Sequence, residues 1–174
     1  MLKKAIIYVL STIIWANCTA QTIQARPHSK NYKLEKTLRA MLRFSVPTIG
    51  VDSLVKMTDK IVLDARERRE FDVSHLPNAQ YCGYDNFDPS VLNGIPKHKN
   101  IVVYCSIGVR SEKIVEKIKA LGYTQVSNLY GSLFEWVNTG HQVVDSTGNN
   151  TRKVHTYSRL WAIYLDGKKA DKVW

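Results

Sequence analysis

The chain has 174 residues, of which 44% are hydrophobic and 23% charged, and it carries a formal net charge of +10. That composition is typical of one globular domain with its own hydrophobic core, and it excludes disorder as the default interpretation. The positive charge favours anionic small molecules, nucleic acid or an anionic membrane surface, and by itself it does not choose among them.

Residues 1–20 have the pattern of a signal peptide. Lys3 and Lys4 precede the apolar run AIIYVLSTIIWA, which is short for a membrane span, and we predict cleavage after Ala20. We therefore expect an exported chain, periplasmic or secreted. Two alternatives stay open, an uncleaved anchor and a lipid anchor on Cys18, although Trp-Ala-Asn before Cys18 fits a lipobox poorly. Membrane contact is expected only through this segment.

A polar lead-in without periodicity follows at residues 21–33, and its composition predicts a flexible segment. Four apolar residues at helical spacing then predict a short amphipathic helix that packs on the domain: Leu34, Leu38, Met41 and Leu42. The predicted domain therefore begins at residue 34.

Three short apolar runs end abruptly at polar or small residues. They occupy residues 61–63, 101–104 and 126–129, and helical patterns separate them. Continuous runs of this length, rich in β-branched residues, predict parallel strands that are buried on both faces. The layout is that of an α/β protein.

Two helices are predicted between and after these strands. The first has four apolar residues on one face, with Gly122 at the position of a C-terminal cap: Ile114, Val115, Ile118 and Leu121. The second begins in SLFEW, where Ser132 and Glu135 have the spacing of a capping box.

The loop after the second predicted strand carries the chemistry. Cys105 ends that strand, and a helical pattern begins at once after Arg110. In open α/β sheets, ligands bind beyond the carboxyl ends of the strands, where helix N-termini present free N–H groups. A cradle of N–H groups, the helix dipole and the guanidinium would together lower the pKa of the thiol. Gly108 suits the tight turn that such a cradle needs.

Each of the two cysteines beyond residue 20 also has a structural interpretation. Cys105 is a candidate buried apolar residue or half of a disulfide. Cys82 follows a presumed strand in AQYCGY, so it is a candidate core residue or a resolving thiol that pairs with Cys105. Sequence gives no distance between the two.

Three segments in order resemble the rhodanese family of sulfurtransferases. VVYCSIGVRSE resembles the active-site loop of single-domain rhodaneses, IVLDARERREFDVSHLPNAQ the first family signature, and NLYGSLFEWVNTGHQVV the closing strand and Trp-containing helix. The resemblance runs from about Val46 to Val144. It implies a three-layer sandwich in which a mainly parallel sheet has helices on both faces, over residues 34–145, followed by an extension over 146–174.

The resemblance also implies a function. Cys105 would take a sulfane sulfur from thiosulfate, hold it as a persulfide and pass it to cyanide, a thiol or a protein acceptor. No metal or organic cofactor is implied. The loop that would bind the donor and the persulfide comprises Ser106, Ile107, Gly108, Val109, Arg110 and Ser111.

Three further residues match the first signature and are predicted to support the loop: Asp64, Arg66 and His75. Asp64 and Arg66 have the form of an ion pair at a strand end, with Glu67, Arg68 and Glu70 beside them. A structural role is preferred to catalysis for all three. Charges at a strand end more often shape a loop than react, and the histidine lies in a turn before Pro77, where a hydrogen-bonding role is expected.

Loop length separates this activity from the competing ones. The spacing is Cys-x4-Arg, whereas cysteine-dependent phosphatases carry Cys-x5-Arg and must bind three phosphoryl oxygens. A phosphatase or arsenate reductase is therefore disfavoured. Arg110 is the loop's one cation and the threonine of mercaptopyruvate users is absent, so persulfides or polysulfides are also candidate donors. A non-catalytic binding or redox-sensing module remains the main alternative.

The extension over residues 146–174 is basic and aromatic and lies beyond the resemblance. No nucleic-acid motif accompanies it, so specific nucleic-acid binding is not predicted. Its apolar residues favour a segment that packs back on the domain, and docking of a protein partner stays open.

Overall fold

A computed structural model describes residues 26–174, so the predicted signal peptide and the Cys18 alternative lie outside the described residues. Five parallel strands form the central sheet in the order β1-β5-β4-β2-β3. These strands are β1 (Thr48–Ile49), β2 (Lys60–Asp64), β3 (Gln80–Tyr81), β4 (Asn100–Tyr104) and β5 (Val126–Leu129). Two small sheets follow, one of β6 (Val143–Val144) with β7 (Asn150–Thr151) and one of β8 (Lys153–His155) with β9 (Asp171–Val173).

Five α-helices flank the sheet: α1 (Tyr32–Met41), α2 (Val51–Lys56), α3 (Arg68–Val73), α4 (Val109–Ala120) and α5 (Ser132–Asn138). Short 3₁₀ turns lie at Pro89–Leu92 and Trp161–Tyr164. The predicted α/β architecture, a parallel sheet with helices on both faces, is confirmed.

Alternate residues of the central strands supply two separate cores. Val62 and Val102 pack with α1, α2 and α5 on one face. Leu63 and Val103 pack with Ile114 and the rest of the apolar face of α4 on the other. Because side chains alternate across a strand, a run that is apolar at every position is buried on both sides. This explains why the predicted strands read as continuous apolar runs.

The first helix differs in two ways from its prediction. It begins at Tyr32, inside the predicted lead-in, because the Asn31 side chain accepts a hydrogen bond from the Leu34 N–H at 3.2 Å and caps it. Ser29 is buried, so this part of the lead-in is packed rather than flexible. Met41, predicted on the apolar face, is 41% exposed.

The predicted capping box at Ser132 and Glu135 is wrong. Gly131 is the N-cap of α5, in the left-handed conformation with φ 68°. The Glu135 carboxylate turns away from the helix start and accepts hydrogen bonds from the Ser29 hydroxyl and the Lys30 N–H. Local spacing could not predict that Glu135 pairs with Ser29, because the two residues are 106 positions apart in sequence.

The C-terminal extension packs against the first and last helices of the domain. Val154, Leu165 and Ala170 are buried in the core that contains α1 and α5. The Asn138 side chain donates to the Tyr164 carbonyl at 2.9 Å and accepts from the Asp166 N–H at 2.8 Å. Within residues 26–174, no helix is both long enough and apolar enough to cross a membrane.

A buried ion pair fixes the chain after β2. The Arg66 guanidinium lies 2.7 Å from the Asp64 carboxylate, and both side chains are 0% exposed. The same guanidinium donates to the Ser74 carbonyl at 2.6 Å, at the end of α3. The pair therefore joins the end of a central strand to the far end of the next helix.

We expect Asp64→Asn to lower the free energy of unfolding by about 3–5 kcal/mol, because it leaves a buried guanidinium without its counter-charge. Urea denaturation measures the change. The matched control is Asp59→Asn, which removes an exposed pairing with Lys99 and should cost less than about 1 kcal/mol. Equal losses in the two variants would contradict the role of the buried pair.

Candidate active site

Cys105 lies directly after β4, and its loop leads straight into α4. The cysteine is buried, and the Gly108 N–H donates a hydrogen bond to its sulfur at 3.1 Å. Gly108 has φ 118°, a conformation that side chains with a Cβ rarely adopt. The glycine thus allows the backbone to turn an N–H group toward the thiol at the start of the helix.

Helix α5 holds this loop in place through hydrogen bonds from its first turn. The Leu133 and Phe134 N–H groups, in the first turn of α5, donate to the carbonyls of Cys105 and Ser106, each at 3.1 Å. The Cys105 N–H donates to the Ser132 hydroxyl at 3.1 Å. The first amides of a helix have no partner within it, so the loop supplies acceptors that α5 needs.

A buried asparagine in β5 holds the other side of the loop. The Asn128 side chain donates to the Gly108 carbonyl at 2.9 Å and accepts from the Ser111 hydroxyl at 2.7 Å. Sequence reasoning missed Asn128. Its signal was an amide side chain within a short predicted strand, where a buried amide needs hydrogen-bond partners.

Arg110 forms a two-pronged ion pair with Glu70 of α3. Its guanidinium nitrogens lie 2.6 and 2.8 Å from the two carboxylate oxygens, and it also donates to the Ser106 hydroxyl at 3.0 Å. Burial raises the pKa of the Glu70 carboxyl, but the hydrogen bonds and charge of Arg110 outweigh it, so the pKa lies below its ordinary value. Sequence reasoning placed Glu70 beside the loop support and missed this pairing.

The environment favours the thiolate form of Cys105. Burial raises the thiol pKa, whereas the charge of Arg110 and hydrogen bonding by Ser111 and Gly108 lower it. The lowering effects outweigh burial, so the pKa of Cys105 is below its ordinary value. Cys82 shows the opposite case. Burial and the nearby Asp64 raise its pKa, and its thiol donates to the Asp64 carbonyl at 3.2 Å. Both cysteines are free thiols.

The Cys105 loop faces a cavity of about 710 Å³. Its lining includes five residues of the predicted loop region: Cys105, Ser106, Ile107, Val109 and Arg110. Charged side chains of both signs, aromatic side chains and a methionine from other parts of the chain complete it: Met41, Glu67, Arg68, Arg69, Tyr84, Asp85, Tyr157 and Trp161. Gly108 and Ser111 do not line the cavity. The Gly108 N–H donates to the Cys105 sulfur, and the Ser111 hydroxyl donates to Asn128.

The three predicted support residues lie outside the cavity lining. Asp64 and Arg66 form the buried pair described above. The His75 ring stacks on Phe71 at 3.9 Å, its Nδ1 lies 3.1 Å from the Phe71 carbonyl, and its backbone pairs with Val144. Over residues 26–174, no three His, Cys, Asp or Glu side chains converge in a way that could hold a metal ion.

Comparison with known families identifies the domain type. A family model described as rhodanese-like domain matches residues 51–139. The rhodanese-like domain of an Anabaena protein superposes with a TM-score of 0.53 at 20% identity, over 57% of this chain and 80% of that one. Thiosulfate sulfurtransferase from Pseudomonas aeruginosa gives a TM-score of 0.51 at 21% identity, over 57% of this chain and 20% of that one. At these identities the structural matches show the fold alone.

Curated relatives share only part of their length with this chain. The tRNA uridine(34) hydroxylase of Enterobacter sp. (strain 638) is 27% identical over 97 residues, which are 53% of this chain and 28% of that protein. The enzyme of the same name from Salmonella arizonae is 29% identical over the same length. The chain therefore spans little more than a quarter of these relatives.

We expect Arg110→Gln to move the pH midpoint for alkylation of Cys105 by iodoacetamide to higher pH. The variant removes the cation that stabilises the thiolate and leaves Glu70 unpaired nearby, and both changes favour the protonated thiol. Alkylation of Cys105 is followed against pH by peptide mass mapping, because the chain has three cysteines.

The matched control for this prediction is Arg39→Gln. Arg39 also pairs with a glutamate, Glu35, but it does so on the exposed side of α1. We expect its midpoint to equal that of the parent protein. Unchanged midpoints in both variants would show that Arg110 does not stabilise the thiolate.

Proposed function

Because the chain belongs to the rhodanese-like family, whose model covers residues 51–139, we propose that it is a sulfurtransferase with Cys105 as nucleophile and sulfur carrier. The supporting observation is a buried thiol of lowered pKa that accepts a hydrogen bond from the Gly108 N–H and faces a cavity whose lining includes three arginines and two carboxylates. Members of this family use sulfur donors and thiol acceptors, and we propose that both reach the sulfur through the cavity.

In the first half-reaction the Cys105 thiolate attacks the outer sulfur of thiosulfate. A thiolate lone pair forms the new S–S bond, the S–S bond of the donor breaks, and sulfite leaves with that bonding pair. The product is a persulfide on Cys105. The Gly108 N–H and the positive end of α4 are placed to stabilise its negative charge.

In the second half-reaction a thiolate or cyanide attacks the outer sulfur of the persulfide. The bond to the cysteine sulfur breaks, its electron pair returns to Cys105, and the thiolate is regenerated. Acceptors thus take away one neutral sulfur atom, and no external oxidant or reductant is needed.

Pairing with Glu70 limits what Arg110 can do for a dianionic donor. Both guanidinium prongs are engaged by the carboxylate, so the charge near the thiol is largely compensated. Arg68 and Arg69 also lie at the cavity lining, but the carboxylates of Glu67 and Asp85 line it too and offset their charge. We therefore propose persulfides and polysulfides beside thiosulfate as donors, because a persulfide has one negative charge on its sulfur chain and neither class has a sulfonate-like group of oxygens to bind.

The hydroxylase relatives bear on this proposal only through the shared segment. That segment is 97 residues long and makes up 28% of the Enterobacter protein. We propose that the shared chemistry is formation of a reactive cysteine, not hydroxylation of a tRNA base. A non-catalytic module is the competing proposal, and it predicts no sulfur on Cys105. Export of the chain is likewise a proposal, and it rests on the sequence of residues 1–20.

Intact-protein mass spectrometry of the full chain before and after thiosulfate tests the sulfur-carrier step. We expect a gain of one sulfur atom, about 32 Da, that dithiothreitol removes and that peptide mapping places on Cys105. Cys105→Ser should show no gain. Cys82→Ala is the matched control and should load normally, because Cys82 lies outside the cavity lining.

The donor series extends to inorganic polysulfide and glutathione persulfide. Loading by any one of these donors on Cys105 supports the sulfurtransferase. Absence of a Cys105 adduct with all three would overturn it in favour of the binding module.

A further inference from the structure

The cavity at Cys105 has a wall that the family match does not include. Tyr157 and Trp161 line it, and both lie in the C-terminal extension, beyond residue 139 where the match ends. Met41, which lines the same cavity, comes from α1, before the match begins at residue 51. Tyr84 of the matched domain also lines the cavity, but the other two aromatic side chains and the methionine come from segments outside the match.

Tyr157 is held in place against the site rather than left free at the surface. Its φ is 67°, an uncommon value for a bulky residue. Its N–H donates to Nδ1 of the buried His155 at 3.0 Å. The neighbouring Thr156, also buried, donates its N–H to the Val173 carbonyl at 2.7 Å. The backbone on the N-terminal side of the ring is thus fixed by buried partners.

The Tyr157 ring lies over the Arg110 guanidinium, 5.3 Å from its carbon to the ring centroid. Tyr157 as a whole residue is nevertheless 49% exposed, and it lines the cavity. Glu70 thus binds the edge of the guanidinium while Tyr157 covers it. This arrangement places an aromatic surface next to the anion cradle.

Trp161 is anchored through the 3₁₀ turn that it begins, Trp161–Tyr164. The Thr37 hydroxyl donates to the Tyr164 hydroxyl at 3.0 Å, and the Asn31 side chain donates to the Tyr164 carbonyl at 3.2 Å. These bonds tie the turn to α1. Trp161 and Met41 are therefore presented from two elements that are fixed to each other.

The cavity has more volume and more aromatic surface than an inorganic donor would use. Its volume of about 710 Å³ lies within the range of roughly 300–1,000 Å³ typical of pockets that bury organic ligands. Thiosulfate has no carbon and gains nothing from aromatic surface. An organic molecule that joins an apolar part to an anionic sulfur group would suit this lining. Its apolar part would contact Tyr157 and Trp161, and its sulfur group would point toward Cys105.

We propose that Met41, Tyr157 and Trp161 form a subsite for the carbon skeleton of an organic sulfane-sulfur donor with an anionic head. The inference rests on the sulfurtransferase proposed above and names its substrate class. For a thiosulfonate, the Cys105 thiolate attacks the outer sulfur, the sulfur–sulfur bond of the donor breaks, and an organic sulfinate leaves with the bonding pair. The persulfide formed is the same one that thiosulfate would give.

Two donors that differ only in their carbon skeleton test the subsite: benzenethiosulfonate and methanethiosulfonate, with cyanide as acceptor. The measured quantity is the ratio of their kcat/KM values, each divided by the rate of the same donor with free 2-mercaptoethanol to remove intrinsic reactivity. We expect the parent enzyme to favour the benzene compound by about tenfold or more, because the ring gains apolar burial.

Tyr157→Ala, Trp161→Ala and Met41→Ala should each lower this ratio by about threefold to tenfold, chiefly through a higher KM for the benzene donor. Leu160→Ala is the matched control. It removes an apolar side chain next to Trp161 that is 81% exposed and outside the cavity lining, so the ratio should not change. Because Met41 lies on a different element, its variant keeps the test valid even when an extension variant fails to fold.

A parent ratio near one would overturn the subsite, as would variants that speed or slow both donors equally. Equal changes for both donors would mean that these side chains only obstruct access to Cys105. Failure of the sulfurtransferase itself looks different, because then no donor places sulfur on Cys105. The two proposals can therefore fail separately.

Discussion

The hydrogen bonds between the Cys105 loop and the start of α5 are the constraint on which the site depends. The carbonyls of Cys105 and Ser106 accept from the first amides of that helix. With its carbonyls directed to α5, the loop can turn the Gly108 N–H the other way, onto the sulfur. The unpaired N–H groups at the start of α5 therefore help to orient the Gly108 N–H, which lies at the start of α4 and donates to the thiol.

The positive charge of Arg110 is balanced by the carboxylate of Glu70. Arg110 lowers the thiol pKa, but its guanidinium is shared with the buried Glu70 carboxylate. A compensated pair fixes the position of the cation at the edge of the loop, and it weakens the attraction for a free dianion. The site is consequently better suited to stabilising one negative charge on sulfur than to collecting a highly charged oxyanion.

The segments on either side of the matched domain change what the common fold offers. Helix α1 and the extension are joined by hydrogen bonds from Asn31 and Thr37 to Tyr164. Together they form a rigid rim on the cavity, built on residues that pack in the same core as the central sheet. A site with a common cysteine loop can thus acquire its own specificity from elements outside the domain.

The sequence by itself determined the features that depend on neighbouring residues. Short runs rich in apolar residues predicted β2, β4 and β5, because a strand buried on both faces carries apolar side chains on both. In β5 the run is interrupted by Ser127 and Asn128. The step from strand to helix at Cys105 placed the thiol beside helical N–H groups, and Gly108 indicated a turn with positive φ, here 118°.

Only the tertiary structure decided the partners that come from far along the chain. Glu70 and Arg110 are 40 residues apart, and Ser132 meets the Cys105 amide across 27 residues, where spacing had suggested a capping box. Tyr157 and Trp161 reach the cavity because the extension folds back on α1. The physical reason is that local periodicity reports which face of an element is buried, whereas the identity of a long-range hydrogen-bond or ion-pair partner is set by how the packed elements bring side chains together.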